Sequence, residues 1–161
     1  MLTFVQQRLV KPVTDLLRVG ATPRRLAWSI ALGIVVGVNP LLGSTTLVML
    51  ALAAALRLNM VASQLGNHAM YPVQIVLFPV FVKLGSWAFG TPGLPLSRHE
   101  LLHAIKTHPW LTTKSLWTWE WHALVVWVVF AALAAPLLAL ALRPVLESML
   151  QKLHHEPVVE K

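Results

Sequence analysis

The chain contains no cysteine, which excludes disulfides and thiolate metal sites and leaves no mark of redox compartment. It is equally poor in acid: between Leu16 and His99 there is no Asp or Glu. Arg18, Arg24, Arg25, Arg57, Lys83 and Arg98 punctuate long apolar runs over the same distance. A soluble domain needs mixed charge to stay in water, whereas a carboxylate in hydrocarbon is costly. The gap therefore reads as an integral membrane protein. It also argues against carboxylate proton relays and carboxylate cation sites within that block. Paired carboxylates, a nucleophile–His–acid arrangement and a glycine-rich phosphate loop are all missing, so no enzyme activity and no catalytic residue is expected.

What is present agrees. The 161 residues are 57% hydrophobic and 12% charged, with a mean hydropathy of +0.67, against roughly 45–50% and 25% in soluble domains. That length allows one domain. The net charge of +7 sits at the ends of apolar segments, which suits anionic lipid headgroups and the positive-inside rule rather than nucleic acid. Seven Trp against one Tyr fit a membrane–water interface. Met1–Val10 carries Gln6, Gln7 and Arg8 in place of an apolar core, so no cleavable signal peptide is expected.

The expected fold is an all-α integral membrane protein with five parts. Residues 1–19 form an amphipathic surface segment, with Val5, Leu9, Val13 and Leu16 at near-helical spacing over Thr3–Val19; a helix packed on its own protein is the alternative. Residues 20–90 form a membrane domain of broken helices. Thr22 is its first helix N-cap and Pro23 the first helical residue. Residues 91–121 form a polar, interfacial loop with a short helix over Ser97–Thr107, ended by Pro109. Residues 122–143 hold a transmembrane helix, uncharged over Ala123–Leu142 and kinked at Pro136. Residues 144–161 form a polar, mobile tail.

The membrane domain is broken twice. As one straight helix Leu26–Leu56 would be about 46 Å long, more than the ~30 Å hydrocarbon core. Asn39-Pro40 and Gly43 interrupt it, and each flank is only about 20 Å long. This reads as a re-entrant hairpin that turns at Asn39–Gly43 and returns to Arg57, with a tilted, kinked span as the alternative. A second unit, Leu58–Val82, is interrupted at Tyr71-Pro72 and Phe78-Pro79, and echoes the first in an Asn (Asn67) followed by a Pro. Paired interrupted segments point to a transporter-like site. Pro72–Gly90 is alternatively a full crossing, with Lys83 reaching an interface.

The run Gly20-Ala21-Thr22-Pro23-Arg24-Arg25-Leu26-Ala27, then Ala31-Leu32-Gly33 and Gly37-x-Asn39-Pro40-x-x-Gly43, resembles the family of domain of unknown function 2062. So do Ala55-Leu56-Arg57-Leu58-Asn59 and Gly66-Asn67-x-x-x-Tyr71-Pro72. The match covers about Gly20 to Gly90. It implies a small bacterial membrane protein without an established activity, and offers no catalytic residue to carry over. Related sequences joined to lipid-handling glycosyltransferase domains imply a place in envelope lipid metabolism. The expected location is the bacterial cytoplasmic (inner) membrane, with the basic N-terminus cytoplasmic.

Candidate binding residues cluster at the breaks. Arg57 stands between two uncharged runs and its guanidinium suits phosphate; Asn59 follows it. Ser44, Thr45 and Thr46 lie just past Asn39-Pro40, where a half-helix would offer free amides. Asn67 and Tyr71, with His68, supply matching polar groups from the second unit. Together they would form a polar floor for a phospho-lipid or polyprenyl-phosphate headgroup, bound or translocated. The alternative is structural: Ser, Thr and Asn satisfying broken backbone. A non-catalytic scaffold for a membrane glycosyltransferase is the second function considered. The third rests on His99-Glu100-Leu101-Leu102-His103, which matches H-E-x-x-H and makes His99 and His103 metal candidates. An amphipathic interfacial helix, with Leu101, Leu102 and Ile105 toward lipid, is the favoured reading of that stretch, and no cofactor is expected. The expected partners are membrane lipids and either a second copy of the chain or a membrane enzyme.

Overall fold

The computed structural model describes residues 22–41, 43–91, 103 and 106–155. The surface segment expected over Thr3–Val19 lies outside them. Among the described residues the chain is helical, without strands. Helix α1, Pro23–Gly37, begins where Thr22 adopts extended backbone and accepts the Arg25 N–H on Oγ1 at 3.4 Å, with Pro23 in the first turn. This is the start the sequence indicates. The helix stops before Pro40, whose ring disfavours helical backbone at Asn39. Helix α2, Thr45–Ala55, follows the turn, and α3, Met60–Ala69, starts at an Asn59 cap. A single residue, Met70, separates α3 from α4, Tyr71–Ala88. Helix α5 runs from Pro109 to His155, 47 residues and so about 70 Å.

Both breaks lie near their expected places, between α1 and α2 and at Met70 beside Tyr71-Pro72. Pro79, read as another interruption, sits inside a continuous α4. Two helices, α4 and the Trp110–Met149 portion of α5, are long and apolar enough to cross a membrane. The last helix is much longer than Ala123–Leu142. Much of the expected interfacial loop and polar tail is helical, because Pro109 lies at the helix start, where its missing amide is not needed, and polar residues do not end helices. His103, Lys106 and Thr107 are helical ahead of Pro109, and Thr107 Oγ1 donates to the His103 carbonyl at 2.9 Å.

Helix α1 is the axis of the bundle. Leu26, Ala27, Ala31, Val35 and Val36 are all buried, more than one face of a surface helix would provide, because neighbours pack on several sides. On one side α3 runs parallel to it at backbone contact. A methyl group at Gly33 would strike the Ser63 carbonyl, and one at Gly66 would lie 2.8 Å from the Ile30 carbonyl. On another side α5 runs antiparallel, with Trp127 donating its indole N–H to the Val35 carbonyl at 3.0 Å and Leu146 packing in a cluster with Leu26 and Ala27. Helix α2 folds back along α1, its Met49 and Ala53 buried with Val35 and Val36. Helix α4 pairs antiparallel with the first half of α5, through Phe81 on Phe130 and Gly85 against the backbone of His122 and Ala123.

The α1–α3 contact gives a direct test. Gly33→Ala forces the two backbones apart and is expected to cost about 2 kcal/mol or more. Gly43→Ala meets no neighbour and strains only its φ of 84°, at about 1 kcal/mol. Thermal unfolding of the two purified variants is expected to rank them in that order.

Candidate functional site

The expected binding residues divide between the two ends of α2. At its start the chain end of α1 is held by side chains. The Asn39 N–H bonds to Val36, and the Val35 carbonyl takes the Trp127 indole instead. Asn39 Oδ1 accepts the Leu41 N–H at 2.7 Å, and its carbonyl accepts from Gln74 Nε2 of α4 at 2.7 Å. Ser44 Oγ donates to the Leu41 carbonyl at 3.0 Å, and Thr45 is buried. Thr46 Oγ1 lies 2.9 Å from the Tyr71 hydroxyl, and its carbonyl accepts from Gln64 Nε2 at 3.3 Å. Gln64 Oε1 in turn accepts from Asn67 Nδ2 at 3.4 Å, and the His68 and Tyr71 rings lie 4.9 Å apart. Asn39, Ser44, Thr45, Thr46, Asn67 and Tyr71 thus come together, chiefly to satisfy interrupted backbone and one another. Gln64 and Gln74, which complete this network, were not anticipated from the sequence; a Gln near a helix start carries no distinguishing signal. The side-chain oxygen of Asn67 is buried without a hydrogen-bond partner.

Arg57 and Asn59 lie at the other end, about 16 Å away by the length of α2. Asn59 is committed to the fold. Its Oδ1 caps α3 by accepting the Ala62 N–H at 2.9 Å, and its own N–H donates to Ser29 Oγ at 2.9 Å. Ser29 Oγ donates to the Arg25 carbonyl at 2.7 Å, tying the starts of α1 and α3 together. Arg57 is exposed and has φ 53°. The Leu58 N–H bonds to the Ala53 carbonyl at 2.8 Å and the Arg57 N–H to Ala54 at 3.3 Å. That pair of bonds is a Schellman motif, whose left-handed position is usually glycine. Here an arginine holds it.

Beside Arg57 the first turn of α1 faces the end of α2 across a groove of about 510 Å³. Leu32, Leu56 and Leu58 form its apolar floor, and Arg24, Arg25 and Trp28 its rim. A smaller groove of about 270 Å³ opens between α1 and α5, lined by Arg24, Ala27, Trp28, Ala139, Leu140 and Arg143. Four arginines therefore gather at this end. Arg143 is paired with Glu147 at 2.7 Å; Arg24, Arg25 and Arg57 have no carboxylate partner among the described residues. The sequence showed Arg24 and Arg25 only among the basic residues that punctuate apolar runs, and did not join them to Trp28 or Arg143, since both grooves need helices that are distant in the chain.

The metal candidates do not assemble among the described residues. His103 is exposed, His99 lies outside them, and no three His, Asp or Glu side chains gather to hold an ion. His122 stacks on Phe89 with ring centroids 4.2 Å apart.

A family model described as an uncharacterized protein conserved in bacteria, DUF2062, matches residues 6–155. The chain belongs to the DUF2062 family. No curated protein and no solved structure matches it. In this DUF2062 protein the residues that carried the resemblance are largely architectural. Gly33 and Gly66 form the α1–α3 contact, Asn39 and Pro40 end α1, and Asn59 caps α3. Arg57 differs, since its charge serves no bond within the described fold and its backbone is strained.

That strain is measurable. A non-glycine residue in the left-handed region costs about 1–2 kcal/mol, and glycine returns about 0.4–1 kcal/mol of that through unfolded-state entropy. Arg57→Gly is therefore expected to stabilise the protein by about 0.5–1 kcal/mol, raising the thermal midpoint, while Arg57→Ala is not. In contrast Gln74→Leu, which leaves the buried Asn39 carbonyl unmet, is expected to destabilise by about 1–3 kcal/mol.

Proposed function

We propose that this DUF2062 protein is an integral protein of the bacterial cytoplasmic membrane that binds a phospho-lipid or polyprenyl-phosphate of envelope lipid metabolism, and that binding serves its translocation. Membrane integration is supported by what the bundle leaves uncovered. Ile75, Val76 and Trp87 of α4 are 71%, 67% and 82% exposed, and Leu133, Leu137 and Leu140 of α5 about as much. Soluble monomers rarely show apolar faces of that extent. Lipid would cover them, together with a second copy of the chain or an envelope enzyme as partner. The gathering of Arg24, Arg25, Arg57 and Arg143 at one end supports a cytoplasmic position for that end, and with it a cytoplasmic N-terminus.

The observation that carries the ligand reading is the groove at the basic end. It joins an apolar floor to arginines that no described carboxylate neutralises. A hydrocarbon chain against Leu32, Leu56 and Leu58 would place an attached phosphate among guanidinium groups, which bind it bidentately. The Thr46–Tyr71 cluster, whose groups largely bond to one another, is better read as the joint that fixes α2 and α4.

Native mass spectrometry of the full chain, extracted gently from its own membranes, tests this. One phosphate-bearing lipid per chain is expected on the wild type. Arg24→Gln combined with Arg25→Gln is expected to reduce its occupancy about tenfold or more. A retained partner protein with only bulk lipid would instead support the scaffold reading and overturn this one.

A further inference from the structure

Trp28 separates two grooves that share a charge. The larger lies between α1 and α2; the smaller lies between α1 and α5, with Ala27, Ala139 and Leu140 along its wall and Arg143 at its edge. Arg24 and Trp28 line both. We propose that the grooves are two halves of one site, whose ligand is an anionic phospholipid with two hydrocarbon chains. Its phosphate sits at Arg24 and one chain lies on each side of Trp28. This rests on the lipid-phosphate reading above and narrows it to a two-chain ligand.

Three features select that ligand. A single-chain lipid anchored at Arg24 fills one groove and leaves the other apolar wall bare, whereas a forked hydrocarbon covers both. The positive charge is in excess, because Arg24 and Arg25 have no carboxylate partner among the described residues. Glu147, the described carboxylate next in sequence to this end of α5, is already held by Arg143 at 2.7 Å. An ethanolamine or choline headgroup would bring an ammonium with no free carboxylate at this end among the described residues to receive it, so a net-negative headgroup such as phosphatidylglycerol is favoured. The first turn of α1 adds a donor, since the Arg25 and Leu26 amides bond to Thr22 while the Arg24 amide has no partner among the described residues.

The test uses the full chain in phosphatidylcholine nanodiscs, with binding read by native mass spectrometry. The probes are phosphatidylglycerol, its single-chain lyso form and a long polyprenyl phosphate. Phosphatidylglycerol is expected to bind at one per chain, about tenfold more tightly than either single-chain probe. Leu140 is 66% exposed, so Leu140→Trp fills the smaller groove without disturbing the core. It is expected to lower phosphatidylglycerol affinity to that of the lyso form. Arg24→Gln is expected to weaken all three probes. If a single-chain probe binds as tightly as phosphatidylglycerol and Leu140→Trp changes nothing, the two-chain site is overturned and the lipid-phosphate reading stands. If none of the three is retained above phosphatidylcholine, both fall.

Discussion

The approach of α1 and α3 at backbone distance is the constraint on which the rest of the bundle depends. Gly33 and Gly66 leave no room for a methyl group at the crossing, so the two helices share one fixed register. That register brings Asn59 to Ser29 and Asn67 beside Gly37. Because Asn59 follows Arg57 so closely, it also fixes where α2 ends and where the arginine points away from the core. Small residues at such crossings matter most where water supplies no hydrophobic drive between helices, since close packing then provides the attraction.

A second consequence falls at the far end of α1. Stopping a helix inside a bundle leaves carbonyl groups without their usual amides, and a buried unpaired carbonyl is expensive. Trp127 and Gln74 reach in from two different helices to satisfy Val35 and Asn39. These bonds connect α1 to α5 and α4, so the break that interrupts the helix also binds the bundle together. Pro40 thus has a tertiary role as well as a local one.

This explains how far the sequence could be read. Local features were legible because they obey local rules: the Thr22-Pro23 start, the turn after Asn39-Pro40 and the break beside Tyr71-Pro72 all lie within one helical turn of their causes. The extent of α5 was not, because helix continuation is weakly coded. The apolar stretch Ala123–Leu142 marks what is greasy, while Lys114 and Glu147 are as helical as their neighbours. The polar residues of the two breaks posed a different difficulty. Asn, Ser and Thr look alike in sequence whether they satisfy backbone or face a ligand. Tertiary partners decide the matter: Asn59 is consumed as a cap, while Arg24 and Arg25, which the sequence shows only as charges at the end of an apolar run, line a groove.

The missing acids between Leu16 and His99 and the arginines without a carboxylate partner among the described residues then bear on one another. An Asp or Glu near Arg24 or Arg57 would have been easy to place on an exposed turn, and would have improved solubility and lowered the net charge. It would also have occupied the guanidinium groups that the proposed phosphate would need. Arg57 sharpens the point, because the left-handed site it occupies would be more stable with glycine. A strained backbone position held by a cation that has no carboxylate partner among the described residues, beside an apolar groove, is poorly explained by folding alone. The proposed recognition of an anion would account for both features, since a bound phosphate would neutralise the charges that the described residues leave unmatched.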